Sequence, residues 1–181
     1  MVVPKHFRAT ISYFYTMATH LKNLSDFSSF EIPSGRDFHF GIVVSHWNSE
    51  ITEALYRGAY DLLVRHEVEE ENITSVRVPG SYELIAGADL MMTLKKVDAV
   101  ICLGCVIQGE TRHFDFICSA VAHGLAEAGI KHNKPVIFGV LTTDNLEQAQ
   151  ARAGGKHGNK GEEAAATALQ MASVQRALAH N

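Results

Sequence analysis

A short glycine-containing turn followed by a histidine is the part of the sequence best suited to acid–base chemistry beside an anion. Gly109, Glu110 and Thr111 come directly before a predicted helix, and the free backbone N–H groups at a helix N-terminus bind anions such as phosphate. His113 follows closely, and an imidazole can exchange a proton near pH 7. A capped turn beside a surface histidine is the alternative interpretation of these residues.

Aromatic and polar residues that could bind a planar substrate follow two other apolar runs. Trp47 is the single tryptophan of the chain, and its indole either stacks on a heterocycle or anchors a core or an interface. Tyr82 and Glu83 follow a Pro-Gly turn. The Glu83 carboxylate could bind a polyol or an amide-like edge, although an acid in the first turn of a helix also complements the helix dipole.

A glycine-rich segment near the C-terminus carries Arg152, Lys156, His157 and Lys160. Such a run is usually a solvated surface, but arginine is also the natural bidentate partner of phosphate. If Arg152 lies far from the turn at 109–111 in its own chain, a neighbouring subunit could supply it.

The cysteines and histidines do not form a metal or redox motif. Cys102 and Cys105 have CxxC spacing, but within a strand side chains three positions apart point to opposite faces. The ten histidines show no recognised ligand spacing. The three cysteines are an odd number, which argues against a disulfide framework and favours the cytoplasm.

Length and charge narrow the class of protein further. The chain has 181 residues, of which 46% are hydrophobic, and its 16 basic and 20 acidic side chains give a net charge of 16 − 20 = −4. These values predict one folded domain and exclude a disordered chain. Without a basic cluster, sequence-independent nucleic-acid binding is not expected. No apolar run approaches the length of a membrane span.

From residue 39 onward, short apolar runs alternate with longer helical periods, which is typical of βαβ units around a parallel sheet. Residues 1–38 are predicted to form a partly irregular N-terminal arm, and 39–181 the functional domain. The predicted strands are 40–44, 73–78, 99–103 and 136–141. The predicted helices are about 51–63, capped by Asn48 or Ser49, 82–96, 112–128 closed by Gly129, 146–153 and 162–179. The fold class is therefore α/β, a three-layer α/β/α sandwich with a four-stranded parallel, flavodoxin-like sheet.

Apart from those of the glycine-rich segment, the candidate residues follow predicted strands. Because the carboxyl ends of parallel strands meet at one edge of the sheet, and ligands usually bind there, the segments 45–48, 79–83, 104–113 and 142–145 are expected to surround one site.

Five motifs, read together, closely resemble the lumazine synthase family, and the resemblance covers about residues 39–178. They are Trp47-Asn48 and the segments 78–83, 104–115, 139–145 and 153–161. The resemblance implies condensation of 5-amino-6-(D-ribitylamino)uracil with 3,4-dihydroxy-2-butanone 4-phosphate to 6,7-dimethyl-8-ribityllumazine, without a cofactor or metal. It also implies a homo-oligomer built from pentamers, with riboflavin synthase as a partner protein.

The same resemblance implies residue roles. Those assigned to the pyrimidine and its ribityl chain are Trp47, Asn48, Gly80, Ser81, Tyr82, Glu83, Val106 and Ile107. The phosphate would lie on Gly109, Glu110 and Thr111, and His113 would carry protons. A neighbouring subunit would contribute Phe138, Arg152 and Lys160.

Two other functions remain open at the level of sequence. The chain could bind a flavin or lumazine, or form a shell, without making the product, although the presence of Thr111, His113 and Arg152 argues against a pure binder of a phosphate-free ligand. It could also have riboflavin synthase activity, which the same fold carries in some relatives.

Overall fold

A computed structural model describes residues 23–27 and 31–179 of the chain. Four parallel strands form its central sheet in the order β2-β1-β3-β4. They are β1 (Phe40–Ser45), β2 (Ile73–Val78), β3 (Ala99–Ile107) and β4 (Val136–Thr143). The predicted α/β fold with a four-stranded parallel sheet is confirmed.

The position of each strand in the sheet follows from its sequence. Every residue of β1 is buried, as expected of a central strand whose two faces are both covered by helices. The edge strand β2 instead exposes Ser75, Val76 and Arg77.

Helices cover both faces of the sheet. They are α1 (Ser49–Arg65), α2 (Leu84–Leu94), α3 (His113–His132), α4 (Leu146–Ala151) and α5 (Lys160–Ala179). One apolar cluster joins α1 and α5 to the sheet through residues such as Leu55 and Leu169. A second joins α2 and α3 to the other face through Leu84 and Leu125. The three-layer sandwich is therefore confirmed.

Helices α2 and α3 have ends that differ from the prediction. Helix α2 begins at Leu84 rather than 82, so Tyr82 and Glu83 stay in the preceding turn. Helix α3 passes Gly129 and ends at His132, and its C-cap residue Asn133 has left-handed backbone angles (φ 49°). The predicted closure at Gly129 is wrong because asparagine also tolerates this conformation and here takes the terminating position.

The glycine-rich segment, predicted as a plain connection, is a β-hairpin. Its antiparallel strands are β5 (Ala153–Gly155) and β6 (Gly158–Asn159). Because β5 takes up residue 153, α4 ends two residues earlier than predicted. Helix α5 follows β6 directly and therefore begins at Lys160, two residues earlier than predicted.

Part of the predicted arm contacts the domain. Residues 1–22 and 28–30 lie outside the described residues. Phe38 is buried in the core, and Phe27 and Ile32 pack against it. The division at residue 38 stays a prediction. Within residues 23–27 and 31–179, no helix has the length and apolar character that crossing a membrane requires.

Candidate active site

A cavity of about 600 Å³ opens at the carboxyl edge of the sheet. Its volume lies in the range of small-molecule sites in proteins. Its lining comes from the segments after β1 and β2, the end of β3 and the start of α3. The lining residues are Trp47, Asn48, Gly80, Ser81, Tyr82, Glu83, Cys105, Val106, Ile107, His113 and Ile117.

The segment after β1 is held against the turn after β2 by backbone hydrogen bonds. The His46 N–H donates to the Val78 carbonyl (2.7 Å), and the Trp47 N–H donates to the Pro79 carbonyl (3.1 Å). The Trp47 side chain remains 72% exposed and lines the cavity. The alternative in which this indole anchors the core of its own chain is therefore wrong.

Asn48 links the first and third strands. Its backbone is left-handed (φ 59°, ψ 45°), and its side chain makes no helix-capping bond. Instead, Nδ2 donates to the Cys105 carbonyl over 2.9 Å. Asn48 therefore occupies the predicted N-cap position of α1, but its side chain does not cap the helix, because its amide donates to β3 beside Val106 and Ile107.

The turn after β2 places polar groups at the cavity. A Cβ at Gly80 would lie only 3.0 Å from Glu83 Oε2, so the carboxylate folds back over the turn. Ser81 is buried. Its Oγ packs against Gly104 of β3, where an added Cβ would lie only 2.8 Å from this oxygen. Tyr82 is about half exposed and borders the opening.

The loop before α3 is hydrogen-bonded to β4 at its first residue, and its following residues are exposed to solvent. The Gln108 N–H donates to the Thr143 carbonyl (2.8 Å), whereas Gly109, Glu110 and Thr111 are exposed. A Cβ at Gly109 would have no neighbour within 4 Å. The backbone of this loop is therefore accessible to a ligand.

His113 is the first residue of α3 and lines the cavity. Its backbone N–H faces Thr111 Oγ1 over 3.4 Å, so the imidazole, the threonine and the helix N-terminus are adjacent. The nearby Arg112 guanidinium lies 3.8 Å from the Asp115 carboxylate and over the Phe116 ring.

Six predicted site residues do not line this cavity. Gly109, Glu110 and Thr111 lie in the exposed loop directly before His113, and the other three are Phe138, Arg152 and Lys160. Arg152 donates to the Gln148 carbonyl over 3.0 Å, and Lys160 Nζ pairs with Glu163 over 2.6 Å. Phe138 lies on the edge strand β4 and is 37% exposed. The structure brings Arg152 and Lys160 to each other, since the Lys160 N–H donates to the Arg152 carbonyl (2.9 Å) at the open end of the hairpin.

Two lining residues were missed by the sequence analysis. Ile117 lies four residues after His113, on the same helix face, and this spacing could have revealed it. Cys105 was considered only as half of a CxxC pair. Burial raises the pKa of its thiol to about 11, so it is a neutral apolar neighbour at pH 7. Cys102 and Cys105 belong to the clusters on opposite sheet faces, as predicted.

Among residues 23–27 and 31–179, no group of three or more His, Cys, Asp or Glu side chains is arranged to hold a metal ion.

The sequence model of the 6,7-dimethyl-8-ribityllumazine synthase family matches residues 37–176. The chain belongs to this family. The match includes every strand and all of the cavity lining, so the resemblance to the lumazine synthase family is confirmed over residues 37–176.

Curated members of the lumazine synthase family are similar over nearly their full length. A protein of Cytophaga hutchinsonii named 6,7-dimethyl-8-ribityllumazine synthase is 62% identical over 155 residues, covering 86% of this chain and 97% of the relative. The enzymes of the same name from Christiangramia forsetii and Flavobacterium johnsoniae are 50% and 51% identical, each over 88% of this chain and over 96% and 84% of the relative. The chain is accordingly a transferase-type enzyme of riboflavin biosynthesis.

Proposed function

We propose that the cavity condenses 5-amino-6-(D-ribitylamino)uracil with 3,4-dihydroxy-2-butanone 4-phosphate, forming 6,7-dimethyl-8-ribityllumazine and releasing phosphate and water. One observation carries the assignment to this site. A single cavity joins an exposed indole, a polar turn and a histidine beside the open N-terminus of a 20-residue helix. These are the surfaces that a flat ring, a polyol chain and a phosphate respectively require.

The pyrimidine would stack on Trp47, with Val106 and Ile107 beside the ring. An indole face binds a planar heterocycle at small entropic cost because few torsions must be fixed. Polar groups of Asn48 and of the turn Gly80, Ser81, Tyr82 and Glu83 would bind the ribityl hydroxyls. These residues form one wall, so both parts of the substrate can be bound at once.

The phosphate would bind to the backbone of Gly109, Glu110 and Thr111. Their position before α3 places free N–H groups and the positive end of the helix dipole toward an anion. The exposed backbone and the open space at Gly109 support this assignment. Glu110 would act through its N–H group, since a carboxylate repels phosphate.

His113 would move the protons. The 5-amino group attacks the ketone and water leaves as the imine forms. Loss of a C–H proton then expels phosphate by breaking its C–O bond, and the second amine closes the ring by attacking the remaining carbonyl carbon with loss of a second water. General acid–base help contributes about 10²- to 10⁴-fold. Holding two substrates together contributes more, up to about 7 to 11 kcal/mol of the barrier.

A neighbouring subunit would complete the site with Phe138, Arg152 and Lys160. None of the three lines the cavity of its own chain, and Phe138 lies exposed on an edge strand. Arg112, which directly follows the 109–111 loop, is already beside the Asp115 carboxylate, so a second arginine is needed to bind the phosphate. We propose a homo-oligomer built from pentamers. The free thiols of the three cysteines support a location in the cytoplasm.

The proposed function is tested by mixing both substrates with the purified protein. We expect lumazine, followed by its fluorescence, and phosphate to be formed in equal amounts. Neither product should form when one substrate is omitted. No product from the complete mixture would contradict the proposal and leave a binding protein. Riboflavin formed from the lumazine alone would instead reveal riboflavin synthase activity.

A further inference from the structure

The described part of the N-terminal arm is hydrogen-bonded to the hairpin that follows Arg152. The Leu24 N–H donates to the His157 carbonyl over 2.8 Å, and the Asn159 N–H donates to Ser25 Oγ over 2.9 Å. The Asn23 side chain shapes this segment, because its Oδ1 accepts from the Ser25 N–H at 2.9 Å. The arm therefore contacts both the turn and the second strand of the hairpin.

The contact is close enough to require a glycine in the hairpin. Gly158 has a φ of 81°, and a Cβ there would collide with Asn23 Oδ1 and lie 2.7 Å from the Ser25 nitrogen. Residues 23–25 thus pack directly against the hairpin backbone.

Asn159, the partner of Ser25, connects the hairpin to the rest of the domain. Its Nδ2 donates to the Ala54 carbonyl of α1 (3.0 Å), and its Oδ1 accepts from the Gly161 N–H (2.8 Å). In the hairpin it is paired with Ala153, which directly follows Arg152. The Ser25 hydroxyl is therefore bonded to the residue that pairs with the immediate neighbour of Arg152.

We propose that Ser25, with the Asn23 turn, is a positioning residue for Arg152 and so controls how well this arginine reaches the phosphate on the neighbouring subunit's 109–111 loop. The inference rests on the proposed role of Arg152. Loss of the Ser25 hydroxyl leaves the Asn159 N–H without its partner and loosens the hairpin, whereas the residues that bind the pyrimidine lie elsewhere and are unaffected.

The test is steady-state kinetics of the full chain carrying Ser25→Ala, with each substrate varied in turn. We expect KM for the butanone phosphate to rise about three- to tenfold, the effect of one lost hydrogen bond, with kcat and the KM for the pyrimidine unchanged. Ser25→Thr keeps the hydroxyl and should behave as the parent. Ser34→Ala is the matched control: it removes another arm hydroxyl, which donates to Glu67 Oε2 (2.6 Å) rather than contacting the hairpin backbone as Ser25 does, and it should leave both KM values unchanged.

A double-mutant cycle identifies the route of the effect. If Ser25 acts through Arg152, Ser25→Ala should not raise KM further in an Arg152→Ala background. An unchanged KM in Ser25→Ala beside a raised KM in Arg152→Ala would overturn the inference alone. Equal losses for both substrates in Ser25→Ala would indicate a merely structural role and also overturn it. If Arg152→Ala itself left KM unchanged, the failure would lie in the proposed function, and the inference would fall with it.

Discussion

Replacement of His113 by alanine is expected to lower kcat by about 10²- to 10⁴-fold, the usual contribution of one general acid–base group. The physical reason is that each step of the condensation transfers a proton, and His113 is the imidazole that lines the cavity. Substrate binding by the indole and by the 109–111 loop is expected to persist, so the KM values should change much less than kcat.

The measurement is steady-state turnover of His113→Ala, with light scattering to show that the assembly is intact. His123→Ala provides a matched control, because this histidine lies on the same helix and contacts the Ser119 carbonyl at 2.8 Å without lining the cavity. It should retain parental kcat. A fully active His113→Ala enzyme would remove this histidine from the mechanism.

Replacement of Arg152 by alanine is expected to raise KM for the butanone phosphate by roughly 10- to 100-fold, the effect of losing a charge-assisted hydrogen bond. The KM for the pyrimidine should stay near its parental value, because that substrate carries no phosphate. Within its own chain the Arg152 side chain donates to the Gln148 carbonyl of α4, and the fold should tolerate the loss of this bond.

Lys156→Ala is the control for the loss of a positive charge from the same hairpin, because this lysine is exposed and has no assigned contact with phosphate. Its KM values should match those of the parent. If Arg152→Ala also had an unchanged KM for the butanone phosphate, Arg152 would not be the phosphate clamp.

The sheet and its functional edge could be predicted because their signals are local and repeated. A buried central strand such as β1 has a nearly continuous apolar sequence, and so has β3. The edge strand β2 could be recognised from its position before the Pro79-Gly80 turn. Once four parallel strands are recognised, the topology alone places the residues after them at a common edge. Trp47, the turn at Gly80 and His113 could therefore be assigned to one site before any distance was known.

The features that sequence analysis missed depend on contacts between distant segments. The sequence predicts that the Asn48 side chain caps α1, but its amide donates to the Cys105 carbonyl, 57 residues away in the sequence. In the hairpin at 153–159, Gly158 packs against the arm and Asn159 donates to the Ala54 carbonyl of α1. No alternating apolar pattern marks this hairpin in the sequence. The end of α3 was missed for a local reason: both Gly129 and Asn133 are residue types that can terminate a helix, and their propensities do not decide between them.

Mixed assemblies of the His113→Ala and Arg152→Ala chains test the central claim that two subunits build each site. Each variant alone should be nearly inactive at butanone phosphate concentrations far below the raised KM. When the chains are unfolded together and reassembled, random placement in a ring should give roughly one quarter of the sites both parental residues, and activity should recover toward that fraction. Activity no higher than the average of the two variants assembled separately would mean that His113 and Arg152 do not act together across a subunit boundary, and would contradict the account.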